Sequence, residues 1–406
     1  MRVLHTSDWH LGKRLEHCER TAEHQHFLDW LVQTIQNQQV ELLVIAGDIF
    51  DTGTPSNTAL KQYYDFLWAM RGTSCRDIVI IGGNHDSVST LNAPKALLRY
   101  FNVHVVGGAT PDIQEEIIPI TDEKGQVQLV VCAVPFLRDR DIRLSVPGET
   151  YQEQEARLKR GICAHYEALC QHIQAYKSQG IAVMATGHLF AAGGAASESE
   201  KEIHVGNLGQ IYGDQFPADF DYVALGHLHR PQKVNNFHHI RYSGSPIPLS
   251  FSEVEDKKII LLLDFEAGQL SRLEEMEVPV CRKLVRFRGD LEKIRKHLIT
   301  FDNGDHPYPA WVEVQVETDN FIHDLDNQLL GFLGDKTQLQ FFSRQTRLNP
   351  AQTLDSQVPE LQSLEDISPK EVFRKKCESV FAEDNFDDML HTFDELLELM
   401  QQQDES

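Results

Sequence analysis

The sequence predicts an α/β fold, and three observations carry that prediction. Short β-branched runs alternate with stretches of helical period, Glu41–Ala46 (ELLVIA) reads as a buried strand, and the strands end on polar loops. The last point bears on function, because ligands of open α/β sheets collect outside the carboxyl ends of the strands. With 406 residues and 41% hydrophobic composition, the chain exceeds one ordinary domain of about 100 to 200 residues. A large domain with a smaller one is therefore expected.

Taken in order, Arg2–Thr6 reads as a strand and Thr21–Gln38 as a helix whose Phe27, Leu28, Leu31 and Ile35 share one face. Glu41–Ala46 is followed by a helix over Ser56–Met70 and a strand over Asp77–Ile81. Strands at Glu115–Ile120 and Val127–Val134 precede a long helix at Gln152–Lys177, and strands at Ile181–Thr186, Tyr222–Leu225 and Ile259–Phe265 follow it. This order predicts two packed sheets with helices outside. Near Val278 the pattern changes to strand Leu284–Phe287, helix Leu291–Leu298, strand Trp311–Glu317, helix His323–Leu333 and strand Gln338–Phe342, a small separate α+β unit. Past Asn349 a polar stretch leads to Ser368-Pro369-Lys370-Glu371, where Ser as N-cap and Pro at the first helical position start a helix. Apolar residues from Val372 to Met400 continue it. The expected division is residues 1–278, 279–349 and 350–406.

A charged fraction of 24%, with 25 Gly and 16 Pro, excludes a disordered or fibrous chain. The start lacks the apolar run of a signal peptide, and no window approaches the roughly 18 apolar residues of a membrane span, so a cytoplasmic protein with no membrane role is expected. Seven cysteines without a CxxC pair argue for reduced thiols rather than a disulfide scaffold or thiolate zinc site. The net charge of −23 would ordinarily oppose binding to a phosphate polymer. Its distribution matters more: residues 350–406 hold 15 Asp and Glu against 4 Lys and Arg, a net of −11.

Five strand-end signatures recur in order: Asp8-Trp9-His10, Gly47-Asp48, Gly83-Asn84-His85-Asp86, Gly187-His188 and Gly226-His227-Leu228-His229. One alone would be a turn, since a His after Gly is far more often a turn residue than a ligand. Together they would gather at one sheet edge, where Gly lets the backbone turn closely around an ion. Carboxylate, amide oxygen and imidazole nitrogen suit Mn, Fe or Zn rather than Ca or a thiolate-bound metal. The ligand types indicate a two-metal site.

This order and spacing resembles the calcineurin-like metallophosphoesterase superfamily, whose pattern runs DxH, GDxxD, GNHD or GNHE, GH and GHxH. The resemblance implies a four-layer α/β/β/α core. It implies Asp8, His10, Asp48 and His229 around a first metal, and Asp48, Asn84, His188 and His227 around a second, with Asp48 bridging. It also implies that His85 sits over the scissile phosphate as a catalytic group, stabilising the transition state or protonating the leaving oxygen, with Asp86 orienting it. The reaction implied is hydrolysis by a metal-activated water without a covalent enzyme intermediate.

Details around the motifs narrow the resemblance. Protein phosphatases of the superfamily read GDxxDRG and GNHE, whereas Gly47–Gly53 is GDIFDTG and the third motif ends in Asp86. The runs His5–Gly12 (HTSDWHLG), GDIFDTG with Pro55, and Tyr242–Phe251 (YSGSPIPLSF) closely resemble the bacterial SbcD family of nuclease subunits, strongly over residues 1–260 and only in architecture beyond. That family implies a Mn-dependent DNA phosphodiesterase, a 3′–5′ exonuclease on double-stranded ends and an endonuclease on single strands or hairpins, serving recombination, repair and replication. It implies a cap domain at residues 279–349 and C-terminal helices that grip the coiled-coil base of an SbcC-type ATPase. Such a partner would also carry much of the DNA affinity that the acidic chain lacks.

The family further implies a homodimer, and with the ATPase a heterotetramer, formed through the helices after the second and third motifs. Leu60, Tyr63, Tyr64, Leu67 and Met70, with Leu91, Leu97 and Leu98, offer apolar faces that core packing would use equally well. Archaeal and eukaryotic relatives often carry a His where this chain has Asp51, so that role is not transferred. Lys13, Arg14, Arg138, Arg140 and Arg143 are the basic loop residues proposed to meet phosphate. The alternative, a small-molecule or nucleotide phosphodiesterase of the same superfamily, leaves the cap and the apolar tail helices without a purpose. A non-catalytic scaffold is opposed by the presence of all seven ligand residues.

Overall fold

The computed structural model describes residues 1–16, 18–142, 150–191, 211–318, 322, 324–333, 338–348 and 392–393. Two six-stranded sheets lie at its centre. In spatial order the first contains Gln269–Glu277, Ile259–Glu266, Arg2–Thr6, Leu42–Ala46, Asp77–Ile81 and Val103–Val106. Its last four strands are parallel, and the first two join antiparallel. The second contains Gln232–Val234, Phe237–Tyr242, Tyr222–Gly226, Ala182–His188, Val127–Cys132 and Ile117–Thr121, parallel at its centre and antiparallel at both edges.

Side-chain alternation divides each central strand between two cores. Leu43 and Ile45 pack with Phe27, Leu31 and Tyr63 of the helices Thr21–Asn37 and Asn57–Met70, whereas Leu42, Val44 and Ala46 join the core shared with the second sheet. The second sheet mirrors this: Val183 and Ala185 meet Tyr166, Leu169 and Ile173 of the helix Tyr151–Lys177, and Ala182 and Met184 face the first sheet. The layers are therefore α/β/β/α, as expected. Burial on both faces is why LLVIA at Leu42–Ala46 contains no polar residue.

The helices start where the side chains cap them. Ser56 Oγ accepts from Ala59 N at 3.2 Å, and Thr150 with Glu153 forms a capping box for Tyr151–Lys177. The sequence pattern lacks four strands of the two large sheets, Val103–Val106, Gln232–Val234, Phe237–Tyr242 and Gln269–Glu277, and the short hairpin Arg14–Leu15 with Cys18–Glu19. The last of the four, QLSRLEEME, is an edge strand largely open to water, so its composition hides it, and pairing with Ile259–Glu266 decides its conformation. The strand expected from Glu115 begins at Ile117, because Asp112 caps a 3₁₀ turn over Ile113–Glu116.

Beyond Val278, three parallel strands, Leu284–Gly289, Ala310–Thr318 and Leu339–Leu348, form a small sheet with Ala310–Thr318 in the middle. The helices Leu291–Thr300 and Leu325–Leu333 cover it, burying Ile294, Leu298 and Leu329 against Val312, Val314 and Val316. This unit meets the large domain at Trp311, whose ring lies 5.5 Å from the Arg20 guanidinium and 4.4 Å from that of Arg282. Both arginines pair with the buried Glu23. Among the described residues no helix is long and apolar enough to cross a membrane, and the six described cysteines are free. Apart from Thr392 and Phe393 in a helical turn, the tail helices expected between Val372 and Met400 lie outside the described residues.

Candidate active site

Each motif stands where a parallel strand gives way to a loop. Asp8 and His10 follow Arg2–Thr6, Asp48 follows Leu42–Ala46, Asn84 follows Asp77–Ile81, His188 ends Ala182–His188, and His227 and His229 follow Tyr222–Gly226. The carboxyl ends of both sheets thus converge. The first sheet contributes the carboxylates, the amide and one imidazole, and the second contributes three imidazoles. Backbone bonds tie the loops together, from Asp8 N to Gly47 O and from His10 N to Asp48 O, each 3.0 Å.

Asp8, His10, Asp48 and His227 have φ of 53°, 46°, 50° and 107°, a region that residues other than Gly adopt at a cost. Four such residues at one site mark backbone strain held by the surrounding structure. Close approach at two glycines brings the loops together. A Cβ on Gly83 would stand 2.1 Å from Asp48 Oδ1, and one on Gly226 would stand 1.9 Å from the Ala46 carbonyl oxygen.

Asp48 Oδ2 lies 3.5 Å from His10 Nε2 and 3.2 Å from His188 Nε2, so one carboxylate stands between the two expected ligand groups. Asn84 Oδ1 lies 2.9 Å from His188 Nε2 and 3.0 Å from His227 Nδ1. Ligand atoms of Asp8, His10 and His229 gather within 4.8 Å of one another, as do those of Asp8, Asp48 and His188. Asp8 therefore approaches both groups, a point the motif order does not contain. The seven residues are buried except for half-buried Asn84. His10 Nε2 is buried without a hydrogen-bond partner. An orphaned buried nitrogen beside carboxylates is costly, and a divalent cation at that point would satisfy it. The residues present fit two such ions.

The electrostatics are those of carboxylates crowded away from water. Burial pushes Asp8 up to about 6 against the pull of His188 and His229, and burial with the Asp48 charge pushes Asp86 up to about 6. Burial opposes the charge on Asp48 too, yet His188, His10 and His85 hold it well below the usual carboxylate range. His10 is driven down to about 4 by burial. In His188 the Asp48 charge and hydrogen bond overcome burial and raise it to about 9.

The structure corrects the expected role of Asp86. Its carboxylate accepts from Ile49 N, Phe50 N and Gly83 N at 3.1, 3.0 and 2.9 Å, which uses it to pin the second motif's loop to the third's. His85 instead donates from Nδ1 to the Asp51 carbonyl at 2.7 Å, leaving Nε2 without a partner, and its ring centroid lies 4.8 Å from that of His10. Asp51 acts a second time through its side chain, accepting from His10 Nδ1 at 3.3 Å. Neither contact has a local signature, because each depends on a 34- or 41-residue loop closure.

Of the basic candidates, Lys13 is paired with Asp51 at 3.1 Å and half-buried Arg138 donates to the Asp86 carbonyl at 3.2 Å, so both lie at the site's rim. Arg14 is exposed on a short hairpin. Arg143 and the side chain of Arg140 lie outside what is described. Ser7, which donates to Asp8 Oδ2 at 2.6 Å and meets Ser243 Oγ at 2.8 Å, is a site residue the motifs omit. Both serines stand in runs that carry the family resemblance, which is the signal that could have found them.

The calcineurin-like phosphoesterase family matches residues 1–231, and the type 5 capsule protein repressor C-terminal domain family matches residues 280–381. The SbcD component of the SbcCD nuclease of Escherichia coli K12 is 37% identical over 379 residues, covering 93% of this chain and 92% of that protein. Its counterparts in Rhodobacter capsulatus and Bacillus subtilis are 38% and 32% identical, covering 69% and 78% of this chain and 70% and 79% of their own length. With these similarities spanning both the ligand-bearing sheets and the smaller unit, the chain belongs to the calcineurin-like phosphoesterases and, within them, to the SbcD family of metal-dependent nuclease subunits.

Proposed function

We propose that this chain is the nuclease subunit of an SbcCD-type complex, hydrolysing DNA phosphodiesters at a two-metal centre held by Asp8, His10, Asp48, Asn84, His188, His227 and His229. One observation carries the reading: the complete ligand set converges at the carboxyl ends of both sheets, in a chain whose relatives along 93% of its length are nuclease subunits. Bound divalent cations, Mn in this proposal, would supply Lewis acidity and an activated water. The protein's own part is positional. Asp48 stands between the two ligand groups, and Asp86 fixes the loop bearing Asn84 and His85. With Nδ1 donating to the Asp51 carbonyl, His85 Nε2 is the ring nitrogen left to face substrate, and with a proton bound there it would protonate the leaving oxygen.

The proposed division assigns residues 1–278 to the nuclease domain, 279–349 to a cap and 350–406 to a linker and docking helices for an SbcC-type ATPase with a coiled coil. The family match beginning at residue 280 supports the first boundary. The activities proposed are a 3′–5′ exonuclease on duplex ends and an endonuclease on single-stranded or hairpin DNA, in recombination, repair and replication in the cytoplasm. A homodimer, and a heterotetramer with the ATPase, complete the assembly.

For the dimer the structure redistributes the candidate residues. Tyr63, Leu67, Met70, Leu91 and Leu98 are buried in the chain's own core, while Tyr64 and Leu97 are exposed, as are Trp68 (67% exposed), Tyr100 (86%) and Phe101. Arg71 stacks on both Trp68 and Phe101 at 4.7 and 5.0 Å. Exposed aromatic rings joined through Arg71 support an interface, since exposed apolar patches on soluble proteins mark contact sites.

The test is Mn-dependent cleavage of an end-labelled blunt duplex and a hairpin, with and without an SbcC-type ATPase, by wild type and His85→Ala. DNA should be cut, and His85→Ala should lower the rate by about 10²- to 10⁴-fold with Mn content unchanged. Intact DNA in every mixture, with hydrolysis of a small phosphodiester, would transfer the reading to the small-molecule alternative.

A further inference from the structure

We infer that Glu253, backed by Lys258, is a positioning residue for the metal centre, orienting His229 so that Nε2 is its ligand atom. The inference rests on the reading of His229 as a metal ligand. Glu253 lies in a 3₁₀ turn, Phe251–Glu253, after the second sheet's last loop, and no motif includes it.

The geometry is specific at each atom. Glu253 Oε1 accepts from His229 Nδ1 at 3.3 Å. A carboxylate offers no proton, so the proton sits on Nδ1 and the lone pair on Nε2. The other oxygen, Oε2, accepts from Lys258 Nζ at 2.6 Å, Leu249 N at 3.1 Å and Ser245 Oγ at 3.4 Å. Lys258 Nζ also donates to Ser245 Oγ and to the His229 carbonyl, each at 3.0 Å. Glu253 grips the ligand's ring while Lys258 grips its backbone.

Burial makes this arrangement hard to explain as packing. Glu253, Ser245, Lys258 and His229 are 0%, 0%, 2% and 3% exposed. A buried ion pair contributes little net stability, because desolvation offsets attraction, and apolar residues of similar volume usually serve a core as well. Carboxylates that hold the far nitrogen of a metal-binding imidazole orient the ring and raise its basicity. His188 shows the contrast: its Nδ1 donates to the neutral Ala46 carbonyl, at 2.9 Å.

The test measures Mn²⁺ affinity of the full chain by electron paramagnetic resonance of free Mn²⁺, with the visible absorption of the Co²⁺-loaded chain as the signature of ligand geometry. Variants are His229→Ala, Glu253→Gln and the charge-balanced Glu253→Gln/Lys258→Met, each first shown to unfold cooperatively in EDTA. Both Glu253 variants should bind Mn²⁺ roughly 10- to 100-fold more weakly and shift the Co²⁺ spectrum. Wild-type affinity and spectrum restored in the double variant would overturn the inference, reducing Glu253 to a counter-ion for Lys258. Wild-type affinity in both, with His229→Ala impaired, would overturn it while leaving the metal site intact. Wild-type affinity in His229→Ala would remove the site assignment itself.

Discussion

At the residue scale, the site contains more buried polar chemistry than its ligands alone. Asp86 is a structural acceptor for three backbone amides, those of Ile49, Phe50 and Gly83. Removing it in Asp86→Ala leaves three buried donors unpaired at about 1–3 kcal/mol each, so calorimetry should show a markedly lower Tm. A wild-type Tm with His85 displaced would instead favour the orienting role expected from the motif. His24 makes a second prediction. It is fully buried, and burial and then Arg20 push it down to about 3. Its folded pKa is below the unfolded value near 6.5, so the unfolded chain binds the extra proton. The stability it contributes is present above pH 6.5 and is lost as pH falls toward 3, by about 1.4 kcal/mol per pH unit. Denaturant titrations in EDTA from pH 8 to pH 5 should show this decline, and His24→Phe should flatten it by one proton's slope.

At the element scale, the function depends on where the two sheets end. The strands Leu42–Ala46 and Ala182–His188 belong to different sheets, yet His188 Nδ1 donates to the Ala46 carbonyl. The small unit is fixed to the nuclease core with similar economy. Trp311 lies between two arginines that share Glu23, while Phe342 stacks near Phe251 at 5.1 Å. Trp311→Ala removes a nearly buried indole at the seam, and the expected loss is about 3–5 kcal/mol. Limited proteolysis would register it as earlier cleavage near Val278. Unchanged proteolysis and stability would mean that the two units are held by other contacts.

At the scale of the whole molecule, the arrangement separates chemistry from assembly. The proposed ligands occupy loops at the carboxyl ends of the strands, while the exposed aromatics Tyr64, Trp68, Tyr100 and Phe101 sit on and after the outer helices. If the proposed dimer uses this face, Trp68→Glu should yield a monomer in light scattering while leaving Mn²⁺ affinity unchanged. A dimer that survives this substitution would place the interface elsewhere. The acid-rich tail has −11 of the net charge of −23, which leaves the remaining 349 residues, including the metal site, less hostile to DNA.

Much of this was legible in the sequence, for a definite reason. Proposed ligands at strand ends are local features: Asp8, Asp48, Asn84, His188, His227 and His229 each lie within three residues of the end of a strand, so strand and candidate ligand are read together. Two-sided burial likewise shows in LLVIA and its neighbours. The strand Gln269–Glu277 was hidden because water on its surface permits a helix-like polar composition, and only its antiparallel pairing makes it a strand. The motifs name the residues proposed for the centre, and the strands that carry them are the ones the structure brings together. Tertiary structure alone decided what stands behind those residues: the Asp51 carbonyl at His85, the Asp51 carboxylate at His10 and Glu253 at His229. Such partners approach across loop closures of 24 to 41 residues, where packing geometry rather than any local pattern selects the contact.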